Sequence, residues 1–271
     1  MCILCTISEY DNLHNRLAHI EFILSISDIV CCPNATIFPR YLINLKSLNC
    51  EQCCHFIKLP DSYKHLTSLY CQSSFLYKLP DTLTNLEYLD CSYSEIEYIP
   101  DTLTNLEYLN CSYTSVYYIS ESFIKLDHLM CNNTEILLIP NTLTLLEYLN
   151  CSENEDLNEL PNTLINLITL DCNNTSISFI PETFINLECL YCENTNVIDI
   201  PKQLINLTEI HSNILDKESI ITRQKKIKNG FIKLYKLYRY YRIYNILWDI
   251  AEYYTAKKYS PKNIFKYIDL L

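Results

Sequence analysis

A single glycine, Gly230, occurs in the whole chain, where ordinary usage of about 7% would supply roughly nineteen. Phosphate-binding loops, dinucleotide-binding turns and the nucleophile elbow of serine hydrolases each need two or more glycines, so those chemistries are excluded. No HExxH zinc helix is present. Long hydrophobic runs are missing as well: "IEFILSISDIV" is too short to span a bilayer. The opening "MCILCTISEY" lacks the basic start of a secretory signal. These readings place the protein inside the cell, where its 15 cysteines stay reduced.

Positive charge is scarce over most of the length. Residues 1–215 hold 8 Lys or Arg against 27 Asp or Glu, whereas residues 216–271 hold 13 against 5. An acidic body therefore adjoins a basic tail, and a nucleic-acid footprint over the body is disfavoured.

What the sequence has in abundance is a repeat. Cys50, Cys71, Cys91, Cys111, Cys131, Cys151, Cys172 and Cys192 recur at steps of 20 or 21 residues, with Ser212 on the same beat. Around them apolar residues keep fixed offsets: Leu86, Leu89, Ile96, Ile99 and Leu103 return as Leu106, Leu109, Val116, Ile119 and Phe123. Where a step lengthens to 21, His55 and Asp156 fall in an apolar slot, and Phe56 and Leu157, one place later, take it over. A period this short specifies a solenoid.

The unit LxxLxCxx(S/T/N)xIxxIPxxL resembles the leucine-rich repeat in its short LPxxL form over residues 40–215, about eight units long. The resemblance implies an α/β solenoid with a curved parallel sheet, a thin irregular convex side and a protein-binding role, with no catalysis and no cofactor. Cysteine replaces one strand leucine, and the family's asparagine survives only at Asn154, so hydroxyls must rebuild its turns and satisfy them less well. Together with the Asn-, Ile-, Tyr- and Lys-rich, glycine-poor composition and the basic tyrosine-rich tail, the repeat is similar to the leucine-rich-repeat proteins of giant amoeba-infecting viruses, which implies residence in host cytoplasm.

In "LEYLDCS" an extended strand points Leu89 and Cys91 inward and Tyr88, Asp90 and Ser92 outward. Cysteine in such a slot acts as a small hydrophobe, and equivalent thiols on parallel strands lie side by side rather than in disulfide geometry. At the N-terminal end a second reading stays open, because Cys50-x-x-Cys53 has zinc-ligand spacing near Cys2, Cys5, Cys31, Cys32, Cys54 and His55. The other half of a paired zinc signature is missing, and no metal is expected.

Outward positions give the candidate partner site. Tyr88, Tyr108, His128 and Tyr148 form one column, and Tyr70, Asp90, Asn110, Met130, Asn150, Asp171 and Tyr191 the next, flanked by Glu51, Glu153 and Glu193. Tyrosine supplies rigid contact area with a polar tip, and the acidic flanks favour a protein partner with a basic or hydroxyl-rich surface.

Residues 1–39 read as a degenerate first repeat and cap, with Ile29, Cys31, Asn34 and Pro39 keeping part of the pattern. Residues 216–271 read as helical, with Leu234, Leu237, Tyr241, Tyr244 and Trp248 at helical spacing, Lys233, Lys236, Arg239 and Arg242 between them, and Gly230 and Pro261 as punctuation. The segment either caps the solenoid or binds nucleic acid or an anionic membrane. Bacterial effector ubiquitin ligases share the LPxxL-plus-helical-domain plan, which makes a ubiquitin-pathway adaptor or ligase-like effector the rival function. Their catalytic cysteine lies in the helical domain, and no cysteine follows Cys192 here.

Overall fold

The computed structural model describes residues 24–31, 38, 40–53 and 58–213, together with 226, 229, 230, 232–234 and 236. The chain divides into two compact units, Met1–Ile221 and Thr222–Leu271.

The alternation of apolar and polar residues around each cysteine produces a short strand in every repeat. Among the described residues these are β1 (Asp28–Val30), β2 (Ser47–Asn49), β3 (Ser68–Tyr70), β4 (Tyr88–Asp90), β5 (Tyr108–Asn110), β6 (His128–Met130), β7 (Tyr148–Asn150), β8 (Thr169–Asp171), β9 (Cys189–Cys192) and β10 (Glu209–Ser212). They pair in chain order as one ten-stranded parallel sheet. The register is the one the repeat dictates: Leu48, Leu69, Leu89, Leu109, Leu129, Leu149, Leu170 and Leu190 stand side by side. The degenerate N-terminal segment joins it through β1, with Ile29 opposite Leu48 and buried. Asn34 and Pro39 lie outside the described residues.

Behind the sheet the same leucines and cysteines fill the core. In the fourth repeat Leu86, Leu89, Cys91, Ile96, Ile99 and Leu103 are all buried. Each large aliphatic side chain so removed from water contributes about 1.5–3 kcal/mol. Leu157 is buried and Asp156 exposed, as the one-residue insertion requires. Twenty residues leave no length for a helix on the return path, which instead makes two successive turns, Leu83 N–H to Pro80 C=O (3.3 Å) and Leu86 N–H to Leu83 C=O (3.0 Å). The proline opens this path because it has no N–H to satisfy.

Backbone pairing continues past each strand. Cys71 N–H donates to Asp90 C=O at 2.8 Å, and Ser73 N–H to Ser92 C=O at 2.9 Å. To make the second bond the residue two places after the cysteine turns left-handed: Gln52, Ser73, Tyr93, Tyr113, Asn133, Glu153 and Asn174 have φ between 52° and 60°, and Asn194 shares that conformation at 55°. This is glycine's region of conformational space, occupied eight times in a repeat array without glycine.

The expectation about the asparagine turns is corrected in part. Ser94, Thr114, Thr134, Thr175 and Thr195 each donate to the carbonyl of the cysteine three residues earlier, so these turns are satisfied. Asn154 also bridges repeats, donating from Nδ2 to Cys131 C=O (2.8 Å) as well as to Cys151 C=O (2.9 Å), and accepting the Thr134 hydroxyl at Oδ1 (2.9 Å). A further set of bridges lies on the return path. There Asn85 and Asn105 donate from Nδ2 to Lys64 C=O and Thr84 C=O, both at 2.7 Å, and Thr82 and Thr102 donate from their hydroxyls to Asp61 C=O (2.8 Å) and Asp81 C=O (2.7 Å).

In the second unit Lys226, Asn229, Gly230, Ile232–Leu234 and Lys236 are helical. Gly230 stands inside that helical stretch rather than punctuating it, and a Cβ built there meets no atom within 4 Å. Leu237, Tyr241, Tyr244, Trp248 and Pro261, on which the cap reading rests, lie outside the described residues. No helix among the described residues is long and apolar enough to cross a membrane.

Candidate protein-binding surface

Because strand side chains alternate, the sheet presents two outward columns. Register places Ser68, Tyr88, Tyr108, His128, Tyr148, Thr169, Cys189 and Glu209 in the first. It places Asn49, Tyr70, Asp90, Asn110, Met130, Asn150, Asp171, Tyr191 and His211 in the second. All eleven residues named from the sequence therefore stand on one face, half-buried except Asn110, which is buried.

The rings of the first column stack along it. Tyr88 and Tyr108 are 4.2 Å apart and 6° from parallel, and His128 continues the row at 6.2 Å from Tyr108 and 5.8 Å from Tyr148. Tyr70 leans in from the second column to 4.7 Å from Tyr88. Strand spacing of about 4.8 Å is close to ring stacking distance, so neighbours cover one another's faces and leave edges and hydroxyls outward. Burial, with a hydrogen bond to Tyr108, pushes the Tyr88 phenol up, and burial does the same to Tyr108 and Tyr148. Such a row turns ring edges and hydroxyls outward and keeps most of its ring faces covered.

The second column does other work. Oδ1 of Asn49, Asp90, Asn110, Asn150 and Asp171 each accepts the backbone N–H two residues on, at 3.1 Å, closing the turn after the strand. Asp90 also accepts Ser92 Oγ (2.7 Å) and Asn110 Nδ2 (3.3 Å). Met130 Sδ receives the Tyr108 hydroxyl at 3.4 Å.

Two residues missed in the sequence extend the array. His211 stacks on Tyr191 at 4.7 Å and 11°, and both reach Oε1 of Glu209, at 2.9 Å from His211 Nε2 and 3.2 Å from the Tyr191 hydroxyl. Their signal was the offset from Ser212, which already sat on the cysteine beat. Along the leading edge Glu87, Glu107, Asp127, Glu147 and Glu188 add an acidic margin, with Asp127 Oδ1 2.8 Å from His128 Nδ1.

The thiol column lies beneath, free of disulfides and buried. Burial pushes the Cys111 thiol up to about 12, and burial together with Cys53 and Glu51 raises Cys50 further. Cys53 occupies the hydroxyl slot of its repeat and is buried in the core beside Cys50. Among the described residues no group of three His, Cys, Asp or Glu stands where it could hold a metal ion. Cys2, Cys5, Cys32, Cys54 and His55 lie outside them.

No protein-family profile matches the chain, and no curated protein matches its sequence. Solved structures do share its fold. A leucine-rich-repeat protein of Leptospira interrogans aligns with TM-score 0.60 and 22% identity over 70% of this chain and 55% of that one. YopM, a leucine-rich effector protein of Yersinia pestis, aligns with TM-score 0.53 and 25% identity over 57% and 45%. The leucine-rich-repeat ectodomain of a receptor kinase from Arabidopsis thaliana, solved with CASPARIAN STRIP INTEGRITY FACTOR 2, aligns with TM-score 0.52 and 20% identity over 72% and 31%. The chain thus spans about half the length of the first two. Its fold is the leucine-rich-repeat solenoid.

Proposed function

We propose that this chain is a non-catalytic protein-interaction module whose partner lies along the concave face of the sheet. The observation that carries this reading is the unbroken aromatic row from Tyr70 through Tyr148, set on rigid strands. Ten strands at a spacing of about 4.8 Å make a surface about 43 Å long, the scale of a protein contact and too open to enclose a small substrate. Glu51, Glu153 and Glu193 on one margin and Glu87, Glu107 and Glu147 on the other favour a basic or hydroxyl-rich partner. The Arabidopsis ectodomain, which shares the fold, was solved with a bound partner, which supports a binding role for the solenoid. The repeat type and composition lead us to place that partner in host cytoplasm. The test is capture from host cytosol by the wild type and by Tyr108→Ala: the variant should lose the captured protein while remaining folded with a cooperative unfolding transition, and undiminished capture would refute the reading.

A second site is proposed on the basic tail, on the strength of Lys226, Lys233 and Lys236 exposed along its helix. Binding to RNA or anionic vesicles that weakens steeply with salt and disappears when residues 216–271 are removed would support it; no binding at low salt would remove it.

A further inference from the structure

The aromatic row stops at Tyr148. In the same column come Thr169 on β8, Cys189 on β9 and Glu209 on β10, so by side-chain size the row steps down to a notch at Thr169 and Cys189, bounded by Glu209, whose Oε2 accepts the Cys189 thiol at 3.8 Å. One wall is Tyr148. His128 covers one face of its ring at 5.8 Å, and among the described residues no ring covers the other. The opposite wall is Glu209 with the stacked pair Tyr191 and His211. Asp171 flanks the floor. Its Oδ1 holds Asn173 N–H at 3.1 Å, and no hydrogen bond within the described residues reaches its Oδ2. Asp90, its counterpart four repeats earlier, has both oxygens engaged by Ser92 and Asn110. The Asp171 carboxylate is half-buried and within electrostatic reach of the phenols of Tyr148 and Tyr191. No Lys or Arg occurs on β7 to β10 or on the residues immediately flanking those strands.

We infer that this notch is a subsite for an arginine side chain of the protein partner, an inference that rests on the concave-face reading. The guanidinium lies flat against the open face of Tyr148 and donates to Oδ2 of Asp171, with its aliphatic stem over Thr169 and Cys189. A planar, weakly hydrated cation can use a ring face and a carboxylate at once; a lysine ammonium is a strongly hydrated point charge and gains less from the ring. Partial burial of Asp171 strengthens the pairing, because the carboxylate has already lost part of its water.

The experiment titrates the full-length protein with N-acetyl-arginine amide and, separately, N-acetyl-lysine amide, following the probe by NMR. The arginine amide should bind saturably and roughly tenfold more tightly than the lysine amide, a difference of about 1.4 kcal/mol. Thr169→Tyr, which continues the aromatic row and fills the notch, should abolish that binding. Asp171→Asn keeps the turn acceptor, as Asn49, Asn110 and Asn150 do in the same column, and should weaken binding at least about tenfold. Equal binding of the two amides, no saturable binding, or affinity unchanged in Asp171→Asn or in a folded Thr169→Tyr overturns the subsite. Tyr108 is two strands away from Tyr148 and outside the notch. Loss of partner capture in Tyr108→Ala without arginine binding therefore refutes the subsite alone, and arginine binding with capture intact in Tyr108→Ala refutes the concave-face reading alone.

Discussion

At the residue scale, the column two places after the cysteines carries an unpaid conformational cost. Left-handed backbone costs an L-residue other than glycine about 1–2 kcal/mol, and Ser73 sits there exposed, with no side-chain hydrogen bond among the described residues to offset it. Ser73→Gly should raise stability by up to about 1 kcal/mol, and Ser73→Val should lower it by at least that much; urea unfolding reads both. The apolar and cysteine offsets were legible because burial imposes one chemistry on every copy. This column was not, since Gln, Ser, Tyr, Asn and Glu share no chemistry and are united only by the dihedral angle the turn demands. The turn role of Asp90 was equally hidden: Asp90→Lys loses the Ser92 hydrogen bonds and lowers stability, so Asp90→Asn is the substitution that tests charge alone. For the thiols, Cys111→Ser should cost about 1–3 kcal/mol, by putting a hydroxyl in the core, and Cys111→Val much less. Burial also couples them to pH. A folded-state pKa of about 12 for Cys111 lies above that of the unfolded thiol, near 8.5, so the unfolded state releases the proton first. That stabilisation is complete below about pH 8.5 and declines by about 1.4 kcal/mol per pH unit per thiol as pH rises toward 12. Thermal melts between pH 7 and 11 should show a falling midpoint, with a smaller slope in Cys111→Val.

At the scale of the element, side chains on the return path do the joining that a helix would otherwise do. Asn44, Asn85, Asn105, Asn166, Asn186 and Asn206 each donate to a backbone carbonyl in the preceding repeat. His65, Lys125 and Leu145 interrupt the series, and Leu145 is half exposed. Leu145→Asn should restore the rung and raise stability by about 0.5–1.5 kcal/mol, whereas Asn105→Ala should lower it by about 1–3 kcal/mol. The recurring "TLTNL", with its variants "TLINL" and "TFINL", signalled these rungs, but a polar residue at fixed offset reads equally as a solvated face until the carbonyl it reaches is placed. In the second unit, Gly230→Ala adds a Cβ in open space inside a helix and should stabilise it by about 0.5–1 kcal/mol, visible as increased helicity by circular dichroism.

At the scale of the whole molecule, the repeat spacing was enough to specify a parallel sheet, its register and the face each residue occupies, because a strict period leaves one way to stack the strands. The outward columns followed from that register, residue by residue. What did not follow was the division of labour on the face: an aromatic row closed upon itself, strand-end Asp and Asn residues committed to turns, and a break after Tyr148. These depend on side-chain reach across neighbouring strands, which spacing alone does not encode. The measurement that bears most directly on the proposed role of this face is site-specific photo-cross-linking in cytosol, with p-benzoylphenylalanine replacing His128 on the sheet or Tyr117 on the return path. Position 128 should give a discrete protein adduct, competed by the unlabelled wild type, and position 117 none. An adduct from 117 with none from 128 would contradict the concave-face role.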